Sequence, residues 1–300
     1  MKKAFIQLHM AILLAGCSGI LGNLISLDAV LITWYRMLLA GLMLIIILYI
    51  KGNKPIIQKN EWSELSVGLL LALHWIFFYG SIKYANVSIG VICFCLSSFF
   101  TAIISPMLNR QKISWAELLL SSLTLFGISL IFQFDSSYRI GIGFGVVSSL
   151  LFAFYAILNE RLSASRNAVR TTALQMIGGF TGLSVLLLPV YIMNVQHATY
   201  LPTINDFCFL FLLAFGCTVC MCFLLNNAQR EISAFTVSLS FNLEPVYSIL
   251  LAIILFKENK MFGTAFYAGL SLIMLSLILQ MFRLAYNKNN NKKRESNISA

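Results

Sequence analysis

Apolar stretches follow one another along the whole chain, separated by short polar connections. Each is long enough to cross a hydrocarbon core as a helix of about 20 residues. This pattern leaves few folds open. Inside lipid every backbone N–H and C=O must be satisfied internally, so only helices and closed barrels span. The period-2 alternation of barrel strands is absent from this sequence. Composition points the same way: of 300 residues, 59% are hydrophobic and only 11% charged, against roughly 25% charged in a soluble domain. The sequence therefore predicts an all-α membrane protein with ten transmembrane helices, over residues 4–25, 31–50, 64–85, 87–108, 115–134, 138–158, 172–194, 205–228, 232–256 and 262–283. Connections as short as Tyr84 to Val87 and Arg230 to Ile232 make antiparallel hairpins of the spans they join.

Lysine and arginine in the connections set the orientation, because cytoplasmic loops carry the excess. With the N-terminus inside, sixteen of the 21 basic residues fall on the cytoplasmic side and four outside, and Arg36 lies within the second span. Both termini are expected in the cytoplasm. The tail over residues 287–300 is polar, basic and Asn-rich, which predicts disorder. The net charge of +10 is spread over loops and tail without aromatic interleaving, so no nucleic-acid partner is expected.

Met1-Lys2-Lys3 and the following apolar run, ending in Leu14-Ala15-Gly16-Cys17, match a lipoprotein cleavage box. The apolar run continues past Cys17 to about Ile25, so it reads as an uncleaved first helix; cleavage would remove the first 16 residues. All seven cysteines lie in apolar blocks, where cysteine packs as a small hydrophobe. Cys217 and Cys220 form a CxxC without the polar surroundings or further ligands of a redox or zinc site. No metal and no cofactor are expected.

The chain repeats. At an offset of 147 residues Lys83 falls on Arg230, Leu96 on Leu243, Leu108 on Leu255, Leu123 on Leu270, and Ser129-Leu130-Ile131 on Ser276-Leu277-Ile278. A repeat unit of five helices, an odd number, enters the membrane the second time from the opposite face. The prediction is two inverted five-helix repeats, 4–134 and 138–283. Secondary transporters built this way bind solute near the midplane, between the halves.

An ionisable residue within a span is costly and suggests function. Glu244, followed by Pro245, is the clearest case. It could accept a substrate amine or carry a proton, or it could bond a neighbouring helix. Pro245 has no N–H and loosens the helix there. The repeat offset places Ser97 opposite Glu244 and Ser98 opposite Pro245. His74 lies mid-span with Trp75 and Tyr79 nearby, as a solute site or as a packed histidine. Arg36 is expected either to snorkel or to pair with Asp28 or another carboxylate. His74, Tyr79, Ser97, Asn242 and Glu244 are the candidate substrate-binding residues, with Glu244 the candidate proton carrier. Tyr155 and Asn226 are candidates for an inner vestibule, and Asn159 and Asn227 lie at the same depth. Gly141, Gly143 and Gly145 follow no strand and are not a nucleotide loop. Gly178, Gly179 and Gly182 include a small-xxx-small spacing that brings helices close.

Arg36 early in the second span, Leu243-Glu244-Pro245-Val246-Tyr247, then Leu255-Phe256-Lys257-Glu258 and a glycine-bearing final span together resemble the EamA family of the drug/metabolite transporter superfamily. The resemblance covers about residues 5–283. It is most specific in the second half, at Glu244, Pro245 and Glu258. In the first half Ser98 stands where the family commonly has proline, and Gln111 where it has glutamate. The resemblance implies a carrier of the bacterial inner membrane, often an exporter of amino acids or related metabolites. Its cavity would be lined mainly by the first, third, fourth, sixth, eighth and ninth spans. The partners expected are a small-molecule solute and membrane lipid, and a homodimer is compatible with the sequence. The competing readings are a membrane-embedded enzyme on a lipid-soluble substrate and a non-transporting sensor.

Overall fold

The computed structural model describes residues 2–52, 61–132, 138–163, 167–186, 200–248 and 263–298, together with positions 189, 191, 193 and 251. Among the described residues the chain is helical throughout, with no strand. The helices are α1 (Lys2–Leu24), α2 (Ala29–Ile50), α3 (Trp62–Tyr84), α4 (Val87–Phe94), α5 (Leu96–Asn109), α6 (Trp115–Phe132), α7 (Arg139–Ser163), α8 (Ala168–Leu186), α9 (Ile204–Ala214), α10 (Met221–Ala228), α11 (Ala234–Ser240) and α12 (Thr264–Ile298). A π-turn over Phe215–Cys220 joins α9 to α10 into one rod.

Among the described residues six stretches are long and apolar enough to cross a membrane: α1, α2, α3, the α4–α5 pair, α7 and the α9–α10 rod. Trp115–Leu130 and Tyr267–Arg283 are shorter apolar stretches. Helix starts are fixed by side chains that take up free N–H groups. The Asn86 carbonyl accepts from Ile89 N–H, the Ser233 hydroxyl from Thr236 N–H, and Thr203 with Asp206 forms a reciprocal capping box. Past the bilayer-length part of α12 the backbone stays helical to Ile298, where the sequence led us to expect disorder. Extending an existing helix needs no new nucleus, which favours continuation even through polar residues.

Two interruptions stand 147 residues apart. The fourth expected span breaks at Cys95, between α4 and α5. Its counterpart breaks into a 3-10 turn over Phe241–Leu243, then continues as helix over 244–248. Pro245 has no N–H for the Phe241 carbonyl, and Glu244 N–H takes that carbonyl instead. The residues at equivalent places in the two breaks, Phe94 and Phe241, touch edge to face at 5.9 Å.

The packing is reciprocal. Helix α3 lies against α7 and α8, and the α9–α10 rod lies against α1 and α2. Helix α2 packs on α8, α5 on α11, and α6 on α12. Gly68 and Gly178 let α3 and α8 meet backbone to backbone.

Both ends of the bundle are tied. At the end carrying the 25–28 turn, Asp206 accepts from Ser26 N–H and from Ser26 Oγ, each at 2.7 Å. There Lys83 Nζ donates to the Ile25 carbonyl, and the Tyr191 hydroxyl donates to Asp28, both at 2.5 Å. At the opposite end Arg170 grips Glu61 with two parallel bonds of 2.5 and 2.9 Å. Arg161 donates to the Asn109 side chain and the Leu108 carbonyl, and Glu160 accepts from Ala234 N–H. Deeper at that end lies a network of uncharged amides. Asn159 donates to Asn226 (2.7 Å) and to Gln229, Gln175 donates to Asn159 (2.6 Å), and Asn226 donates to Thr172 (2.8 Å).

Candidate transport site

Arg36 is the centre of the molecule. Its side chain is wholly buried, yet it is neither snorkelling nor paired with Asp28. Burying a guanidinium is tolerable only when its donors are satisfied. Nε donates to Thr218 Oγ1 (2.6 Å), Nη1 to Tyr79 Oη (2.6 Å) and Ser18 Oγ (3.3 Å), and Nη2 to the Cys217 carbonyl (2.5 Å). The guanidinium carbon lies 3.5 Å from the Trp75 ring centroid, a close cation–π stack. Two of the four acceptors belong to the π-turn. Thr218 passes its own proton to the Leu213 carbonyl, five residues back, which the wider turn makes possible. Interruptions of this kind recur at functional sites. Tyr79 has room for its ring because α1 presents Gly22 to it.

Arg36 lines a cavity of about 30 Å³, room for a water or two. Glu244, His74, Ser18 and Tyr155 line it as well, and the remaining wall is apolar, half of it aromatic. Phe94, Phe152 and Phe241 pack on one another with centroids 4.6 to 5.9 Å apart, and His74 lies against Phe94 and Phe152 at 5.2 and 5.1 Å. His74 Nδ1 is 3.0 Å from the Ser148 carbonyl. The Ser148 hydroxyl oxygen lies 2.9 Å from the same nitrogen, so Ser148 holds the ring through both its oxygens. The site therefore holds a guanidinium, a carboxyl group and an imidazole in a largely apolar shell that weakens screening between charges.

Of the residues expected at the site, His74 and Glu244 line this cavity. Tyr79 lies behind it, as a ligand to Arg36. Ser97 and Asn242 are fully buried outside its lining, and the Asn242 amide donates to Thr124 at 3.4 Å. Tyr155, expected in a vestibule, is part of the central wall. Asn226 is fully buried in the amide network rather than open to a vestibule. A separate polar cavity of about 280 Å³, with Ser105, Asn109, Lys112, Glu117, Glu160 and Ser233 on its walls, lies at the end tied by Arg170 and Glu61. Glu258 lies outside the described residues. The elements contributing to the central cavity are the first, third, fourth, sixth, eighth and ninth of the expected spans, with the second added through Arg36.

The EamA-like transporter family matches residues 2–133 and, a second time, residues 139–281. The chain belongs to this family. Like other EamA-like chains it is a multi-pass membrane transporter. It is 24% identical over 277 residues to the uncharacterized transporter YyaM of Bacillus subtilis, covering 88% of this chain and 87% of the relative. An uncharacterized transporter of Haemophilus influenzae is 25% identical over 162 residues, covering 51% of this chain and 53% of the relative. The fold of this EamA-like chain also matches a protein solved by crystallography, with a TM-score of 0.69 over 94% of this chain and 97% of that one, at 15% identity.

Proposed function

We propose that the protein is a secondary transporter, working as an exporter, for small zwitterionic metabolites such as amino acids. The observation that carries this reading is the cavity that buried Arg36 and Glu244 line together, in a wall rich in aromatic rings. A solute carboxylate is complementary to the guanidinium and a solute ammonium to the Glu244 carboxylate. The cavity as it stands holds only water-sized guests, so an amino acid enters when the helices part at one end. That is the occluded stage of an alternating-access cycle. The ties at Asp206–Ser26 and at Arg170–Glu61 then act as the two gates.

Two inverted five-helix halves, 4–134 and 138–283, are supported by the paired breaks at Cys95 and Phe241–Leu243 and by the exchange of packing partners between α3 and the α9–α10 rod. The protein lies in a bacterial inner membrane with the Arg170–Glu61 end and both termini in the cytoplasm, an orientation that the distribution of basic residues supports. Glu244 serves as the proton-coupling group.

Purified protein in liposomes, offered labelled amino acids with and without a proton gradient, tests this. Saturable, protein-dependent flux is expected. Glu244→Gln is expected to lower it at least about tenfold and to flatten its dependence on the gradient, since a buried partner of a charged solute contributes about 2 kcal/mol or more. Unchanged rate and pH dependence in Glu244→Gln would remove the proton role.

A further inference from the structure

The charged groups occupy one part of the cavity, and something else must read the remainder. Arg36 lies seven residues into α2 and Tyr155 sixteen residues into α7, and both helices start at the end carrying the 25–28 turn. At 1.5 Å per residue the Tyr155 backbone is about 14 Å farther along the bundle than that of Arg36. Glu244 enters from the opposite end, ten residues past the start of α11, and so lies between them. Tyr155 is 1% exposed, its ring packs on Phe152 at 5.7 Å, and it belongs to the cavity wall. Among the described residues no group lies within hydrogen-bond reach of its hydroxyl.

A buried hydroxyl without a partner is costly, because it gives up its bonds to water and gains none in return. Phenylalanine would pack the same wall without that cost, and the neighbouring positions on the wall, Phe94, Phe152 and Phe241, are phenylalanine. The hydroxyl is therefore unexplained by packing. Its backbone position is deeper in the bundle than that of Arg36, and it shares the cavity wall with the apolar side chains of Leu225, Met221, Phe152 and Phe241.

We propose that Tyr155 is a specificity-determining residue, whose hydroxyl hydrogen-bonds a hydroxyl or amide at the end of the solute remote from its charged groups. This rests on the reading of the central cavity as the transport site and names the solute class more narrowly. Amino acids whose side chains end in a hydroxyl or amide are preferred over analogues that end in hydrocarbon or thioether. The principle is general: a site built to hydrogen-bond a substrate group rejects the analogue lacking it, because its own polar group is then stranded.

The test compares two pairs in proteoliposomes, tyrosine with phenylalanine and glutamine with methionine. Wild-type protein is expected to favour the polar member of at least one pair by about tenfold or more in kcat/KM, as a hydrogen bond of ordinary strength requires. Tyr155→Phe is expected to bring that ratio within about threefold, through loss on the polar member alone, with flux of the apolar member kept or raised. The empty variant should melt at the wild-type temperature or above it, since only a stranded hydroxyl has been removed. Tyr155→Met, also without the hydroxyl, gives a second measurement of the same ratio.

A ratio unchanged in both variants overturns the proposal and makes water the hydroxyl's partner. So does wild-type protein with no preference in either pair, or folded wild-type protein that moves none of the four solutes. Failure of the underlying reading looks different: flux is then present but indifferent to Arg36→Lys and Glu244→Gln.

Discussion

Arg36→Met is expected to reduce transport by roughly 100-fold or more while the protein still folds, because truncating one partner of a buried charge pair costs about 2–5 kcal/mol in binding. Its effect on the fold is smaller, for two reasons that oppose each other. The Cys217 carbonyl loses its bond to Nη2, and Trp75 loses its cation. Against this, a guanidinium no longer has to be stripped of water, and a well-packed apolar replacement for a buried charge is often neutral. Tyr79 and Ser18 keep each other at 2.9 Å, and Thr218 keeps the Leu213 carbonyl. Arg36→Lys is the sharper variant. A lysine retains the charge but is a single point of three donors, without the planar fork that reaches the Thr218 hydroxyl and the Cys217 carbonyl together. It is expected to lose at least about tenfold in flux, with a rise in KM. Initial rates in proteoliposomes, alongside thermal unfolding in detergent, measure both. Arg36→Lys transporting at the wild-type rate would show that the guanidinium is a structural rivet and not part of the solute site.

The contrast between Arg36 and Glu244 explains how far the sequence could be read. A carboxyl next to proline in an apolar run is conspicuous whatever surrounds it, and Glu244 was legible for that reason. The role of Arg36 depended on acceptors contributed by α1, α3 and the π-turn, at Ser18, Tyr79, Cys217 and Thr218, none of which is near it in sequence. The π-turn itself has no signature in Phe215–Cys220, since apolar helical residues tolerate either winding. The aromatic wall was also hidden, because phenylalanines in lipid-length spans face lipid as often as each other. Depth along a helix was legible, but facing was not. The sequence gives the depth of Asn226 and Tyr155 along their helices, but only packing tells that Asn226 is sealed among amides and that Tyr155 joins the central cavity. Helical continuity past residue 287 went unread because its composition is that of a solvated segment, and local composition does not register the helix preceding it.

Glycine spacing was legible, and it supports the second large effect. A methyl group at Gly178 would lie 2.3 Å from the Leu65 carbonyl oxygen and 2.4 Å from Leu65 Cα, and one at Gly68 would lie 2.0 Å from the Gln175 carbonyl oxygen. These are backbone atoms, which no rotamer change can withdraw. Gly178→Val is therefore expected to force α3 and α8 apart and to destabilise the protein by about 3 kcal/mol or more, the upper range for overpacking. In a chain of this size that corresponds to a loss of roughly 5 °C or more in Tm. Gly143→Ala is the control, with nothing within 4 Å of the added methyl. It is expected to be neutral or slightly stabilising, since alanine is the better helix former by about 1 kcal/mol. Equal Tm for Gly178→Val and wild type would mean that α3 and α8 do not meet at this distance. The consequence reaches the site, because α3 also carries His74, Trp75 and Tyr79 and, at its start, the Glu61 that holds Arg170 of α8. A methyl group at Gly178 pries at a contact between two gate-bearing helices, so flux should fall in Gly178→Val even in the fraction that remains folded.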